Sequence, residues 1–372
     1  MYSSSVFLIP YFITLLSLFY IINMIVGQKT KTTLENISYD PGYKRAAENA
    51  IIVCLRVQKG ERTTLITDLD TLPIAASLYD ELIRVGAKVH TFVVEDYSER
   101  PLLHMPQEIL ADLEKSDVTI YCMQGQENEL QTRKEMMGVI NRVKPRHAHM
   151  VNINHEIMME GMQADFIAVD AISRKVFELA KNAKKIVAKS PAGTHIEATF
   201  SPDLKWLKTS GIITREKWGN LPGGEVLTCP ADVNGVYVVD GVVGDYLCAE
   251  YGDIKATPLT IHIKNSRITK CECDNQALLE EFLEYTHTDE NSDRVGEFAI
   301  GTNIGVQDIR GLILQDEKLP GCHIAFGYPY CEHTGAKWYS STHIDVVGRA
   351  FDIWIDELKI MEAGKFLIEP AV

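Results

Sequence analysis

From Tyr39 to Ser190 the chain alternates between two hydrophobic periods. Short apolar runs over Thr63–Asp68, Lys88–Val94, Val118–Cys122 and His147–Ile153 have the length and β-branched content of strands. Between them, Leu72–Gly86, Pro106–Lys115 and Glu127–Ile140 place apolar residues three and four apart, which predicts amphipathic helices. Gly86 ends the first of these as a C-terminal glycine does. Short strands alternating with helices predict an α/β domain built on a mostly parallel sheet with helices on both faces. No GxGxxG or Walker-type loop follows the first strand, so the pattern offers no nucleotide site.

After about Lys189 the texture turns β-rich. Within Gly223–Gly244, Asn234-Gly235 and Asp240-Gly241 are hairpin-turn signals. Leu259–Cys273 reads as a further hairpin turning at Asn265-Ser266, Asn275–Tyr285 as a helix, and strands resume from Glu297. The expected organisation is an apolar N-terminal segment and linker over 1–36, the α/β domain over 37–190, and an α+β, β-rich domain over 191–372.

Val6–Gly27 carries no charge and is long enough to span a bilayer, which takes about 20 residues. It lacks a basic n-region and a small-residue cleavage site. Lys29 and Lys31 follow it, so an anchor here would leave the bulk of the chain on the cytoplasmic side. The other reading is a start at Met24. Both predict a cytoplasmic globular part, with membrane contact confined to residues 6–27. The net charge of −14 argues against a nucleic-acid partner. Eight cysteines, several inside apolar runs and none at zinc-finger spacing, read as reduced thiols.

Several polar residues do not fit a core. His343 and Asp345 lie two apart in a strand-like run, which turns both to one face. Glu225 and Glu297 each follow a glycine and open apolar runs, and Glu317, His323 and Tyr330 share the stretch DEKLPGCHIAFGYPY. Singly, each has an ordinary structural explanation. Together, two imidazoles and several carboxylates are the inventory of a two-metal hydrolytic site, with donors suited to zinc, cobalt or manganese.

The stretches NLPGGEV, GEFAIGTN, HIAFG with a tyrosine seven residues after its His, and HID resemble those of the aminopeptidase T (thermophilic metallopeptidase, leucyl aminopeptidase-like) family, from about Tyr39 to Lys365. The resemblance implies a two-domain, usually homodimeric metallo-aminopeptidase that removes N-terminal residues from peptides through a dinuclear divalent-metal site. It makes Glu225, Glu297, His323, His343 and Asp345 the metal ligands and Tyr330 the active-site tyrosine. Glu317 would serve as a further ligand or as general base, although it stands six residues before His323 where the family has an acidic residue five before. The apolar N-terminal segment is absent from the family pattern.

Two alternatives follow from the same resemblance. Ring-cleaving dioxygenases acting on dihydroxypyridines share the fold and use one Fe(II) held by two His and an Asp. They carry a His in the place of Glu297 and lack the counterpart of His323, so this sequence sides with the peptidases. A non-catalytic metal-binding relative is the other alternative, and no candidate ligand position is lost here.

Overall fold

The computed structural model describes residues 31–370. The apolar segment 6–27 lies outside them, and among the described residues no helix is long and apolar enough to cross a membrane.

The first part opens with helix α1 (Tyr43–Glu48), which continues as a wider π-helical turn over Asn49–Cys54. Strand β1 (Arg62–Thr67), helix α2 (Leu72–Val85), β2 (Lys88–Val93), α3 (Gln107–Leu113), β3 (Val118–Met123), α4 (Leu130–Val143) and β4 (Arg146–Val151) then alternate. Gly86 caps α2 in the left-handed region at φ 81°, as its position predicts. The strands form a parallel sheet in the order β2-β1-β3-β4, extended beside β4 by the short strand Gly219–Asn220. Side-chain alternation builds a core on each face. Leu65, Ile120 and Cys122 pack with Leu78 and Leu82 of α2, while Ile66, Tyr121 and Met123 pack with Ile109, Met136 and Ile140 of α3 and α4.

After α5 (His155–Met159) and α6 (Phe166–Ala180) the chain becomes a two-sheet structure. Its strands are β5 (Lys185–Lys189), β6 (His195–Thr199), β7 (Leu207–Thr209), β8 (Gly219–Asn220), β9 (Glu225–Thr228) and β10 (Asp232–Val239). They continue, past α7 (Asp245–Tyr251), with β11 (Leu259–Lys264) and β12 (Arg267–Glu272), and past α8 (Gln276–Tyr285) with β13 (Val295–Gly301). The short α9 (Ile313–Asp316), β14 (Gly321–Gly327), α10 (Cys331–Thr334), β15 (His343–Val347), β16 (Asp352–Ile355), β17 (Leu358–Glu362) and β18 (Lys365–Phe366) complete the chain. One antiparallel sheet has eight strands in the order β12-β11-β10-β6-β5-β16-β17-β18, the other five in the order β15-β14-β13-β9-β7. The architecture is an α/β layer followed by a β-rich, mixed part. The sheets do not divide at residue 190: β5 belongs to the eight-stranded sheet, and β8 returns to pair with β4.

Two turn expectations are corrected. Asn234-Gly235 lies inside β10 rather than at a hairpin. Gly235 sits at φ 129°, and a Cβ there would fall 2.1 Å from the His195 carbonyl oxygen, so the glycine serves close approach to β6. Asp240-Gly241 leads out of the sheet towards α7, fixed where Asp240 Oδ1 accepts the Arg349 backbone N–H at 2.9 Å. Asn265-Ser266 does turn a hairpin between β11 and β12, with φ 52° and 59°.

The five-stranded sheet positions the site by parity. Val226, Phe298, Ile300, Ile324, Phe326, Ile344 and Val346 face the eight-stranded sheet and form the core between them. Their odd-numbered neighbours therefore project to the opposite face.

Candidate metal centre

That opposite face gathers the candidate ligands in register. Glu297 on β13 pairs with Ala325 on β14, which pairs with Asp345 on β15, while His323 pairs with Ala299 and Gly327 with His343. Glu225 opens β9 opposite Gly301. Alanine and glycine between the large polar residues leave space above the sheet for a ligand. A register shift between Val295 and Glu297 ends the regular pairing just before the carboxylate.

Glu317 arrives from a different element, at the end of α9. Asp316 beside it accepts the backbone N–H groups of Arg310 at 3.0 Å and Leu312 at 2.8 Å and so fixes the turn. Burial pushes the Asp316 carboxyl up to about 6. Gly224, at φ 133°, lets the chain pass beside Asn303, where a Cβ would meet the Asn303 Cβ at 2.6 Å, and this sets the start of β9 and the place of Glu225.

All six candidate ligands converge. Glu225, Glu297 and His323 form one group able to share a metal ion; Glu297, His343 and Asp345 form a second; Glu317, His323 and Asp345 form a third. His323 Nε2 stands 3.5 Å from both Glu225 Oε2 and Glu297 Oε1. His343 Nε2 stands 3.4 Å from Asp345 Oδ2 and 3.9 Å from Glu297 Oε2. Glu297 thus turns one oxygen to each imidazole, as a bridging carboxylate would.

The donor set fits a divalent cation on a further observation. His323 is 2% exposed, and its Nε2 has no hydrogen-bond partner among the described residues. A buried polar atom left unpaired costs on the order of 1–3 kcal/mol. A cation in that space would satisfy the imidazole and both carboxylates together. His343 is oriented for the same purpose, since its Nδ1 lies 3.0 Å from the Tyr328 carbonyl oxygen. Donation from Nδ1 leaves Nε2 free to coordinate.

The ion-free electrostatics reflect the crowding of charge. Burial opposes ionisation of Glu225, but Lys318 and His323 hold its carboxyl below the usual range. Burial lifts Glu297 above that range against the opposing effect of His323, and the Asp345 charge adds to the rise. Glu317 is pushed up to about 8 by burial, despite Lys318. Burial disfavours protonation of His323 and His343, yet the surrounding carboxylates carry both up to about 10.

Tyr330 lies beside these groups. It caps α10 in the left-handed region at φ 50°, an uncommon place for a non-glycine residue, and its ring centroid is 5.0 Å from that of His343. Burial raises its hydroxyl well above the ordinary tyrosine value, so it is a proton-bearing donor at neutral pH.

Three neighbours were not singled out by sequence. Lys318 is 1% exposed; its Nζ donates to Glu225 Oε1 at 2.7 Å and to Glu317 Oε1. Thr209 Oγ1 also donates to Glu225 Oε1, at 2.8 Å. Asp245 begins α7 directly after Gly244, whose backbone N–H bonds the Asp345 carbonyl oxygen at 2.7 Å. A lysine in a short turn and an aspartate at a helix start both read as solvated residues, so no periodicity marks them.

Residues 168–349 match the family model described as thermophilic metalloprotease (M29), a span that holds every candidate ligand and Tyr330. No curated protein matches the chain. Among solved structures, the fold is similar to that of 2,5-dihydroxypyridine dioxygenase from Pseudomonas putida, with 16% identity, TM-score 0.65, and 88% of this chain and 97% of that one covered. It is equally similar to wild-type AmpT from Thermus thermophilus, with 17% identity, TM-score 0.64, and coverage of 88% and 99%. The fold alone therefore accommodates both names, and the side chains on the sheet must separate the chemistries.

Proposed function

We propose that the chain is a metal-dependent aminopeptidase that hydrolyses the N-terminal peptide bond of peptides, with two divalent ions held on the face of the five-stranded sheet. The observation that carries this reading is the orphaned Nε2 of buried His323 between two carboxylates, inside a span that matches the metalloprotease family. Glu225, Glu297 and His323 would hold one ion, and Glu297, His343 and Asp345 the other. Zinc, cobalt or manganese suits this mixture of imidazole and carboxylate. Bound ions of this kind supply a water made acidic enough to act as a nucleophile and a positive field for developing negative charge.

The chain's own groups supply the rest. Glu297 sets the separation of the two halves by turning an oxygen to each imidazole. Glu317, whose carboxyl takes up a proton readily in this buried setting, acts as general base towards the attacking water. The Tyr330 hydroxyl donates to the oxygen of the scissile carbonyl as charge builds on it. Acidic groups around the site anchor the free amine of the substrate, which restricts cleavage to chain ends.

The likeness to the dioxygenase fold favours a second reading, a single ferrous ion with oxygen chemistry. The donor set weighs against it, because a facial triad needs two His and one carboxylate, whereas four carboxylates surround these two His. Chelator-treated protein should lose hydrolysis of aminoacyl reporter substrates and regain it with Zn²⁺, Co²⁺ or Mn²⁺. Hydrolysis that persists after complete metal removal would refute the assignment.

A further inference from the structure

The two halves of the donor set differ in their surroundings. On the Glu225 side lies a buried ammonium: Lys318 Nζ is 2.7 Å from Glu225 Oε1, and the same oxygen accepts from Thr209 at 2.8 Å. Glu225 therefore offers only Oε2 to an ion, and a positive charge sits on the far side of its carboxylate. Lys217 adds a second positive charge close enough to act on Glu225, and its own amine donates to the Lys208 carbonyl. On the other side, no lysine among the described residues donates a hydrogen bond to Asp345 or His343, and the Lys318 charge reaches Asp345 only through space. Their neighbour is Asp245, joined to Asp345 through the Gly244 backbone and close enough for its charge to act on both. One half thus has an ammonium bonded directly to its carboxylate, whereas the other feels that charge only through space and has Asp245 beside it. In a low-dielectric setting, a unit charge a few ångströms from a divalent ion changes its affinity many-fold.

We propose that the two metal positions are inequivalent by design of this chain: the Glu297–His343–Asp345 half loads first and tightly, and Lys318 keeps the Glu225–Glu297–His323 half weak and exchangeable. The inference rests on the metal-dependent reading above and adds to it a positioning residue, Lys318, that acts through Glu225 and Glu317. Lys318 never needs to touch substrate. Its ammonium bridges the two carboxylates in the ion-free state and competes with the incoming second ion for their charge. Occupancy of the weaker half, and with it the active state, would then follow the available divalent-ion concentration.

The test is a titration of metal-free protein with Co²⁺, followed by calorimetry and by the visible absorption of bound cobalt. The wild type should show two steps whose affinities differ by at least about tenfold, the stronger filling first. Glu225→Gln should remove or weaken the weaker step alone, and Asp345→Asn the tighter one. Lys318→Met should narrow the gap between the steps, and Lys318→Arg should restore it. Two equal steps in the wild type, or a gap unchanged in Lys318→Met, would overturn the proposal while leaving the metal-dependent reading standing. Binding of no ion at all would overturn both. Should Lys318→Met fail to fold, as circular dichroism would reveal, the wild-type, Glu225→Gln and Asp345→Asn titrations still decide it.

Discussion

At the scale of the residue, His343 places Nδ1 against the Tyr328 carbonyl and Nε2 towards Glu297 and Asp345. Replacing it removes the imidazole of one donor group and leaves Glu297 and Asp345 without it. His343→Ala should therefore lose one equivalent of bound ion and fall to background activity, as metal analysis and a reporter assay would show. Tyr330→Phe keeps the ring against His343 and removes only the hydroxyl. It should retain its ions and lose roughly 10²–10³-fold in kcat, the scale for one oxyanion donor. Unchanged turnover would remove Tyr330 from the chemistry. The histidines also set a pH signature. In the ion-free chain, burial opposes their protonation but nearby carboxylates bring both to about 10, against 6.5 when free. Between those values each imidazole carries a proton that an ion must displace. Ion affinity should therefore rise with pH towards 10, with proton release detectable by calorimetry in buffers of different ionisation enthalpy. The same raised values stabilise the ion-free fold fully below 6.5 and lose that contribution as pH rises through 10.

At the scale of the element, the five-stranded sheet divides its labour by alternation. Phe298 faces the core and Glu297 the site, so neighbouring substitutions should fail in different ways. Phe298→Ala should cost about 3–5 kcal/mol of stability in chemical denaturation. Ala325→Leu, which fills the space between Glu297 and Asp345, should keep the fold and lose ion binding. Loss of ions in neither variant would contradict the placement of the site above this sheet. This alternation is also what made much of the site legible in the sequence. The HID stretch declares its same-face pair through the period of a strand alone. Glu225 stands out because it opens β9, and Glu297 because it is the one charged residue within the otherwise apolar β13. Lys318 was not legible: its burial comes from carboxylates on β9 and at the end of α9, partners that no local pattern reveals. Asn234-Gly235 misled for the opposite reason. Its turn chemistry is genuine, but pairing with β6 and β11 on both sides overrides it, and the glycine is needed for close approach.

At the scale of the whole molecule, the parallel sheet with helices on both faces and the later change to antiparallel strands follow from periodicity, because each period has one way to bury its apolar face. The interleaving of the parts did not follow from it. β8 returns to the first sheet after three strands of the later part, a long-range pairing of two residues that leaves no local signal. The same frame is shared by a dioxygenase and by AmpT, so the frame does not choose a reaction. The choice rests on four carboxylates and two imidazoles gathered on one face. The most direct measurement compares hydrolysis of an aminoacyl reporter with that of its N-acetylated counterpart by protein reconstituted with Zn²⁺, Co²⁺ or Mn²⁺, while dissolved oxygen is monitored. The account predicts release of the reporter from the free amine only, strictly dependent on added ion and without oxygen uptake. Silence on every aminoacyl substrate with all three ions, together with oxygen consumption by a ferrous form acting on a dihydroxypyridine, would contradict it.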